Sequence, residues 1–353
     1  MFQIIKHWFK QYFSDPEAVL LFFVLLLSVL LVVFFGQLLA PVLASIVIAY
    51  ILEWVITCLE GWKLPRLLAV YLVFIGFLAF LLVALLVLLP LVCQQVVTLF
   101  DDLPTMLSKG QQVLLDFVNR FPELFSQVQV QSFANELLTQ VHEGAKVVLS
   151  ASWSSIAGLM TFMVYLILVP LLVFFLLKDK VTIIQWGLRF LPRKRGMLRR
   201  VSAEVNHQIA NYIRGKVLEI VLVGLCTYWL FWYFGLRYAV LLACLVGLSS
   251  LIPYVGAMVI SIPVVLVGYL QWGWQPHFGY FMLAYLTVLG LDGNILVPLL
   301  FSEAVNLHPI AIIVATLFFG GVWGFWGIFF AIPLATVIKA VLNVWPKPPR
   351  AVH

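Results

Sequence analysis

Asp292 and Asn294 stand two residues apart inside the apolar run 278–300, where oil is expected. Pro298 follows them, and Glu303 and His308 lie at the far edge of the run. A carboxylate at membrane depth is costly, so its default reading is functional. Asp292 can hold a proton or balance a cation, according to the side of the membrane it faces. The plainer alternative is a pair with another helix or a place at a frayed end. Asn294 can coordinate a cation or hydrogen-bond a polar solute. His308 offers an imidazole to a proton path, or simply serves a turn, and Glu303 reads as a solvated loop acid. The sequence shows no nucleotide-binding loop, zinc-ligand spacing or cofactor box. No cofactor or metal is therefore expected, and a gradient-coupled carrier or a passive pathway fits better than a pump. No nucleophile–base pair can be recognised from spacing, so an enzyme is not expected.

The elements that must hold these residues are membrane spans. The chain is 64% apolar and 10% charged, which puts it in the membrane class before any motif is considered. The expected fold is an all-α polytopic membrane protein. It has about eight hydrophobic transmembrane segments, two of them (238–270 and 309–339) broken or re-entrant, plus amphipathic interfacial helices. Spans 1–3 occupy residues 1–92, with spans at about 18–35, 39–57 and 67–92 and a turn at 36–41. Glu53 reads as interfacial. Residues 93–150 form an extracytoplasmic amphipathic segment, in which Leu114, Phe117, Phe121 and Leu124 recur at helical spacing, as do Phe133, Leu137, Val141 and Ala145. Span 4 lies within 151–177. Residues 178–216 are a basic segment followed by an amphipathic helix at 201–217. Eight lysines and arginines between 178 and 200 stand against Asp179 alone, which orients this segment, and with it both termini, to the cytoplasm. The four cysteines form neither a metal pattern nor a disulfide framework. No cleavable signal peptide is evident.

Residues 217–353 hold the remaining spans and a faint internal repeat, 217–270 against 278–339. An offset of 71 pairs Leu236 with Leu307 and Gly256 with Gly327. Each unit is a helix, a short turn and a long segment of about 30 residues. The interruptions are IPYVGA at 252–257 and GGVWGFWG at 320–327. A straight helix of that length would be near 45 Å, too long for a core of about 30 Å without a tilt or a break. Full crossings would give eight spans and parallel units; re-entrant hairpins would give six crossings and inverted units. Gly/Pro-interrupted segments in corresponding halves point to a transporter's binding site. That adds Pro253, Tyr254 and Gly256 from the first break and Gly320 and Gly324 from the second. The last two also read as a G-x-x-x-G helix-packing pair.

Five stretches together resemble a known family: FSDPEA at 13–18, FFLLKDK at 174–180, NYIRGK at 211–216, LIPYVGA at 251–257, and Leu291 to Pro309. The sequence is similar to the AI-2E family of bacterial permeases over nearly its whole length. The resemblance implies a multi-pass protein of the bacterial inner membrane. It also implies either export of a small polar solute, the hydroxylated signal autoinducer-2, or exchange of sodium or lithium for protons. Lys178, Asp179 and Arg214 lie in the matching stretches and join the candidates for the pathway. The expected partners are the lipid bilayer and a small polar solute or monovalent cation and proton, with no nucleic acid. Gly-rich faces permit a homo-oligomer. A passive oligomeric pore and a membrane scaffold that binds a partner are the competing readings.

Overall fold

The computed structural model describes residues 16–120, 136, 156–191, 196–253, 255–301 and 307–344. Among these, every regular element is helical. The elements are α1 (Pro16–Gly61), α2 (Arg66–Val83), a π-helical turn (Ala84–Leu88), α3 (Leu89–Arg120), α4 (Ile156–Lys178), α5 (Lys180–Arg189), α6 (Gly196–Phe234), α7 (Ala239–Ser249), α8 (Val255–Trp272), α9 (Pro276–Leu291), a second π-helical turn (Asp292–Leu296), α10 (Val297–Phe301) and α11 (Pro309–Val344). Seven helical stretches among the described residues are long and apolar enough to cross a membrane. Phe80, Ile167, Trp232, Leu283 and Leu317 all turn outward, a surface suited to lipid rather than water.

Several boundaries differ from the sequence expectation. The turn at 36–41 is helical, because Pro41 is accommodated inside α1. Ser45 Oγ donates back to the Pro41 carbonyl at 2.6 Å, one turn earlier in the same helix. The chain nevertheless turns back within α1. Glu17 accepts from the Met197 amide of α6 at 2.8 Å, while Tyr50 donates to Asn206 of the same helix at 2.5 Å. A straight helix would set Tyr50 about 50 Å from Glu17, so α1 bends back on itself between them. Span 3 and the first amphipathic segment as far as Arg120 run together as α2, the π turn and α3, while Phe121 and Leu124 lie outside the described residues. The amphipathic helix expected at 201–217 and span 5 are likewise one helix, α6, because the apolar face of 201–217 continues without a break into the span. The second amphipathic stretch, Phe133 to Ala145, lies outside the described residues apart from Glu136.

Helix α6 is the central post, in contact with α1, α7, α9, α10 and α11. Its C-terminal half meets α7, α8 and α9 in a core built on Phe231, Leu242, Val264, Phe281 and Tyr285. Glycine sets the closest approach. A Cβ on Gly247 of α7 would lie 2.8 Å from the Ile220 carbonyl of α6.

Both interrupted segments double back. The Gln271 side chain accepts from the Arg237 amide at 2.9 Å and donates to the Gly235 carbonyl at 2.7 Å, closing the base of the α7–α8 hairpin. At its tip, a Cβ on Gly256 would fall 1.7 Å from the Ser249 carbonyl. Within α11 the backbone breaks at Gly324, φ 60° and ψ −136°. A Cβ on Gly327 would fall 1.8 Å from the Phe319 carbonyl, whereas a straight helix separates residues eight apart by about 12 Å. The two glycines paired by the 71-residue offset therefore do the same job in two hairpins.

Candidate functional site

Lys216 and Glu219 lie one turn apart on α6 and form an ion pair of 2.8 Å. Their side chains are only 5% and 3% exposed, which makes this the most deeply buried ion pair among the described residues. The Lys216 ammonium also sits 5.4 Å from the centre of the Phe301 ring on α10. Gly215 permits that approach, since a Cβ there would lie 3.0 Å from the same ring and 3.2 Å from the Leu300 carbonyl. A buried ion pair seldom raises stability over an apolar replacement of the same shape, so its retention in a membrane protein directs attention to function.

Asp292 completes the group. It opens the π-helical turn that follows α9, and its charge acts on both Lys216 and Glu219. Its Oδ1 is buried and has no hydrogen-bond partner among the described residues. A π turn places a residue off the helical register of its neighbours and recurs at functional sites. Tyr212, buried one turn below Lys216, donates to the Phe329 carbonyl of α11 at 3.5 Å. Leu251, beside the first hairpin tip, shares a core with Tyr212, Ile213 and Phe329. The tips of the two hairpins thus converge on the level of the charged group. Its chemistry is that of two carboxylates and one amine, with one carboxylate oxygen unsatisfied.

The candidates from sequence fall in different places. Asp292 opens the π turn that packs against α6. Asn294 is exposed and donates to the Gly290 carbonyl of its own helix at 2.8 Å, which turns it from the charged group. Pro253 is half-buried in the first hairpin turn, where its carbonyl accepts from Val255 at 2.7 Å. Gly256, Gly320 and Gly324 shape the hairpins. Pro298 is exposed on α10. His308 is exposed, and its Nδ1 accepts from the Ile310 amide at 3.3 Å, capping the start of α11. Tyr254 and Glu303 lie outside the described residues. Lys178 is exposed over the Phe174 ring, and Asp179 is half-buried ahead of α5, without capping it through its side chain. Arg214 points to another face of α6, into a cavity with Tyr50, Glu53 and Lys180. Glu53 is not merely interfacial. It pairs with Arg66 at 3.1 Å and Lys180 at 2.9 Å.

Sequence reasoning passed over Lys216 and Glu219. Their signal was present: opposite charges three residues apart at the mouth of an apolar run. Starting the span at residue 217 hid it.

The model of the AI-2E family transporters matches residues 20–347. This chain belongs to the AI-2E transporter family. It is 46% identical over 346 residues to PerM of Escherichia coli (strain K12), a protein whose name assigns it as a permease, covering 98% of each chain. It is 28% identical over 322 residues to YueF of Bacillus subtilis (strain 168), named as a transport protein, covering 89% of this chain and 86% of that one. YrrI of the same organism, also named as a transport protein, is 25% identical over 309 residues, or 86% of this chain and 85% of the relative. Membership carries the coarse description: a multi-pass inner-membrane protein of the permease class.

Proposed function

We propose that this protein is a secondary transporter whose substrate and coupling ion meet at Lys216, Glu219 and Asp292. The observation that carries the reading is the buried, unpartnered Oδ1 of Asp292 beside a buried ion pair. A carboxylate in that setting exchanges a proton or a cation as the site opens to one side and then the other. The amine of Lys216 has two carboxylates within its field, so loading Asp292 changes how tightly Lys216 holds Glu219. That coupling gives a carrier two states.

The substrate we assign is a small polar solute, exported in the manner of a hydroxylated signal molecule. Exchange of sodium or lithium for protons is the second reading, favoured by the excess of carboxylate over amine in the cluster. The topology that fits has six full crossings and two re-entrant hairpins in inverted units, with both termini cytoplasmic. The basic residues at 178–200 and the cations at Lys63 and Arg66 then share the cytoplasmic side. Sites at the interface of inverted repeats with broken helices are the usual arrangement for such carriers.

Proteoliposomes holding the purified protein test the substrate. Uptake of sodium, lithium, protons and autoinducer-2 is followed under imposed proton and sodium gradients. Solute movement driven by a gradient supports export; cation movement with opposite proton flow supports the exchanger. Flux that ignores every gradient replaces both with a passive pore.

A further inference from the structure

A second polar centre lies away from the transport cluster, in a cavity of about 300 Å³ enclosed by α1, α4, α5 and α6. In its wall Glu53 is bridged by Arg66 at 3.1 Å, which also holds Glu60 at 3.2 Å, and Lys180, another wall residue, adds a second cation to Glu53 at 2.9 Å. Both acids are therefore satisfied by two cations. Arg214 is the cation left over. Its Nε is buried with no hydrogen-bond partner, and no ion pair engages its guanidinium among the described residues. A guanidinium carries five donors in a fixed fork matched to carboxylate and phosphate oxygens. Leaving a buried donor of a charged group unmade is costly, so this donor is matched to an oxyanion.

The other polar groups of the wall are already engaged, Glu53 with its two cations and Tyr50 with Asn206, and the remainder, with Ile46, Leu176, Ile183 and Ile184, is apolar, which does not suit a small hydrated anion. Its rim is α5, whose Ile183, Ile184 and Trp186 are exposed, as is Phe190 just beyond it, while Lys180 and Arg189 supply charge. An apolar, aromatic face flanked by cations is the composition of a helix lying at the membrane surface, which suits entry from the bilayer.

We infer that the cavity between α1, α4, α5 and α6 binds an anionic amphiphile, its phosphate or carboxylate head on Arg214 and its apolar chain along Ile46, Leu176 and Ile184. The site does not depend on the transport cluster, which lies on another face of α6.

Native mass spectrometry of the detergent-purified, full-length protein tests this with phosphatidylglycerol and phosphatidylcholine of identical chains. The wild type should hold phosphatidylglycerol more tightly. Arg214→Gln should weaken that binding about tenfold or more, the scale of a hydrogen bond to a charged group, and leave phosphatidylcholine unchanged. Arg214→Lys keeps the charge without the fork and should fall between. Ala49→Phe, which fills the cavity and keeps Arg214, should lower phosphatidylglycerol binding as well. Inorganic phosphate separates the sources: if it displaces the lipid at equal occupancy, the ligand is a soluble oxyanion and the amphiphile is overturned. Equal affinity for the two lipids, or full phosphatidylglycerol affinity in Arg214→Gln, also overturns the site. If Arg214→Gln does not fold, unchanged binding in Ala49→Phe has the same force.

Discussion

Lys216 and Glu219 depend on each other more than the helix depends on either. Removing one partner leaves a buried charge uncompensated, at a cost of about 3–5 kcal/mol, while replacing both with apolar residues of similar volume is close to neutral. Lys216→Met and Glu219→Leu should each lower the thermal midpoint in detergent sharply, and the double variant should recover most of the loss. A second residue-scale case lies at the other end of α6. Tyr238, at φ 58°, donates its phenol to Asp102 of α3 at 2.5 Å. Burial first, then the bond to the Asp102 carboxylate, pushes the phenol up to about 12 from its ordinary 10.0. The folded protein therefore holds this proton more tightly than the unfolded chain. The stabilisation is whole below pH 10 and is lost as pH rises towards 12. Tyr238→Phe should remove that part of the alkaline loss, measured as the difference between melting midpoints at pH 8 and pH 11.

At the scale of elements, the hairpins stand on two glycines. A methyl group at Gly256 or Gly327 would overlap a backbone carbonyl of the facing arm, and backbone cannot step aside as a side-chain tip does. Gly256→Ala and Gly327→Ala should each destabilise by about 1–3 kcal/mol or more, while Gly279→Ala, with open space around it, should be neutral in the same unfolding assay. The two breaks were legible in the sequence because Gly and Pro clustered inside runs too long for one straight crossing. The direction of the chain after each break was not. It depends on Gln271 reaching back to residues 235 and 237 and on the backbone of Gly324, and neither leaves a periodic trace. Asp292 was legible for the opposite reason: a lone carboxylate in oil stands out. Lys216 and Glu219 did not stand out, since their charges looked like the end of an amphipathic helix that in fact runs on into the membrane.

For the whole molecule, the orientation follows from where the cations gather. The turn between α1 and α2, with Lys63, and the segment beginning at Lys178 are tied together through Glu53, Arg66 and Lys180, so they face one side. In the proposed topology the turn between α8 and α9, near Trp274 and Gln275, faces the other. In a variant with its four cysteines replaced by serine, single cysteines at Lys63 and at Gln275 should react with an impermeant thiol reagent from the cytoplasmic and the outer face respectively. Labelling of both from one face would overturn the orientation. The proposed transport mechanism rests on Asp292, and the direct measurement is gradient-driven flux in proteoliposomes of wild type beside Asp292→Asn, matched for reconstituted protein and thermal midpoint. Wild-type flux that responds to a proton or sodium gradient and loses at least about tenfold of its rate in Asp292→Asn, a barrier of roughly 1.4 kcal/mol, is the expected result. Flux of equal size and equal gradient dependence in the two proteins would contradict a role for Asp292 in transport.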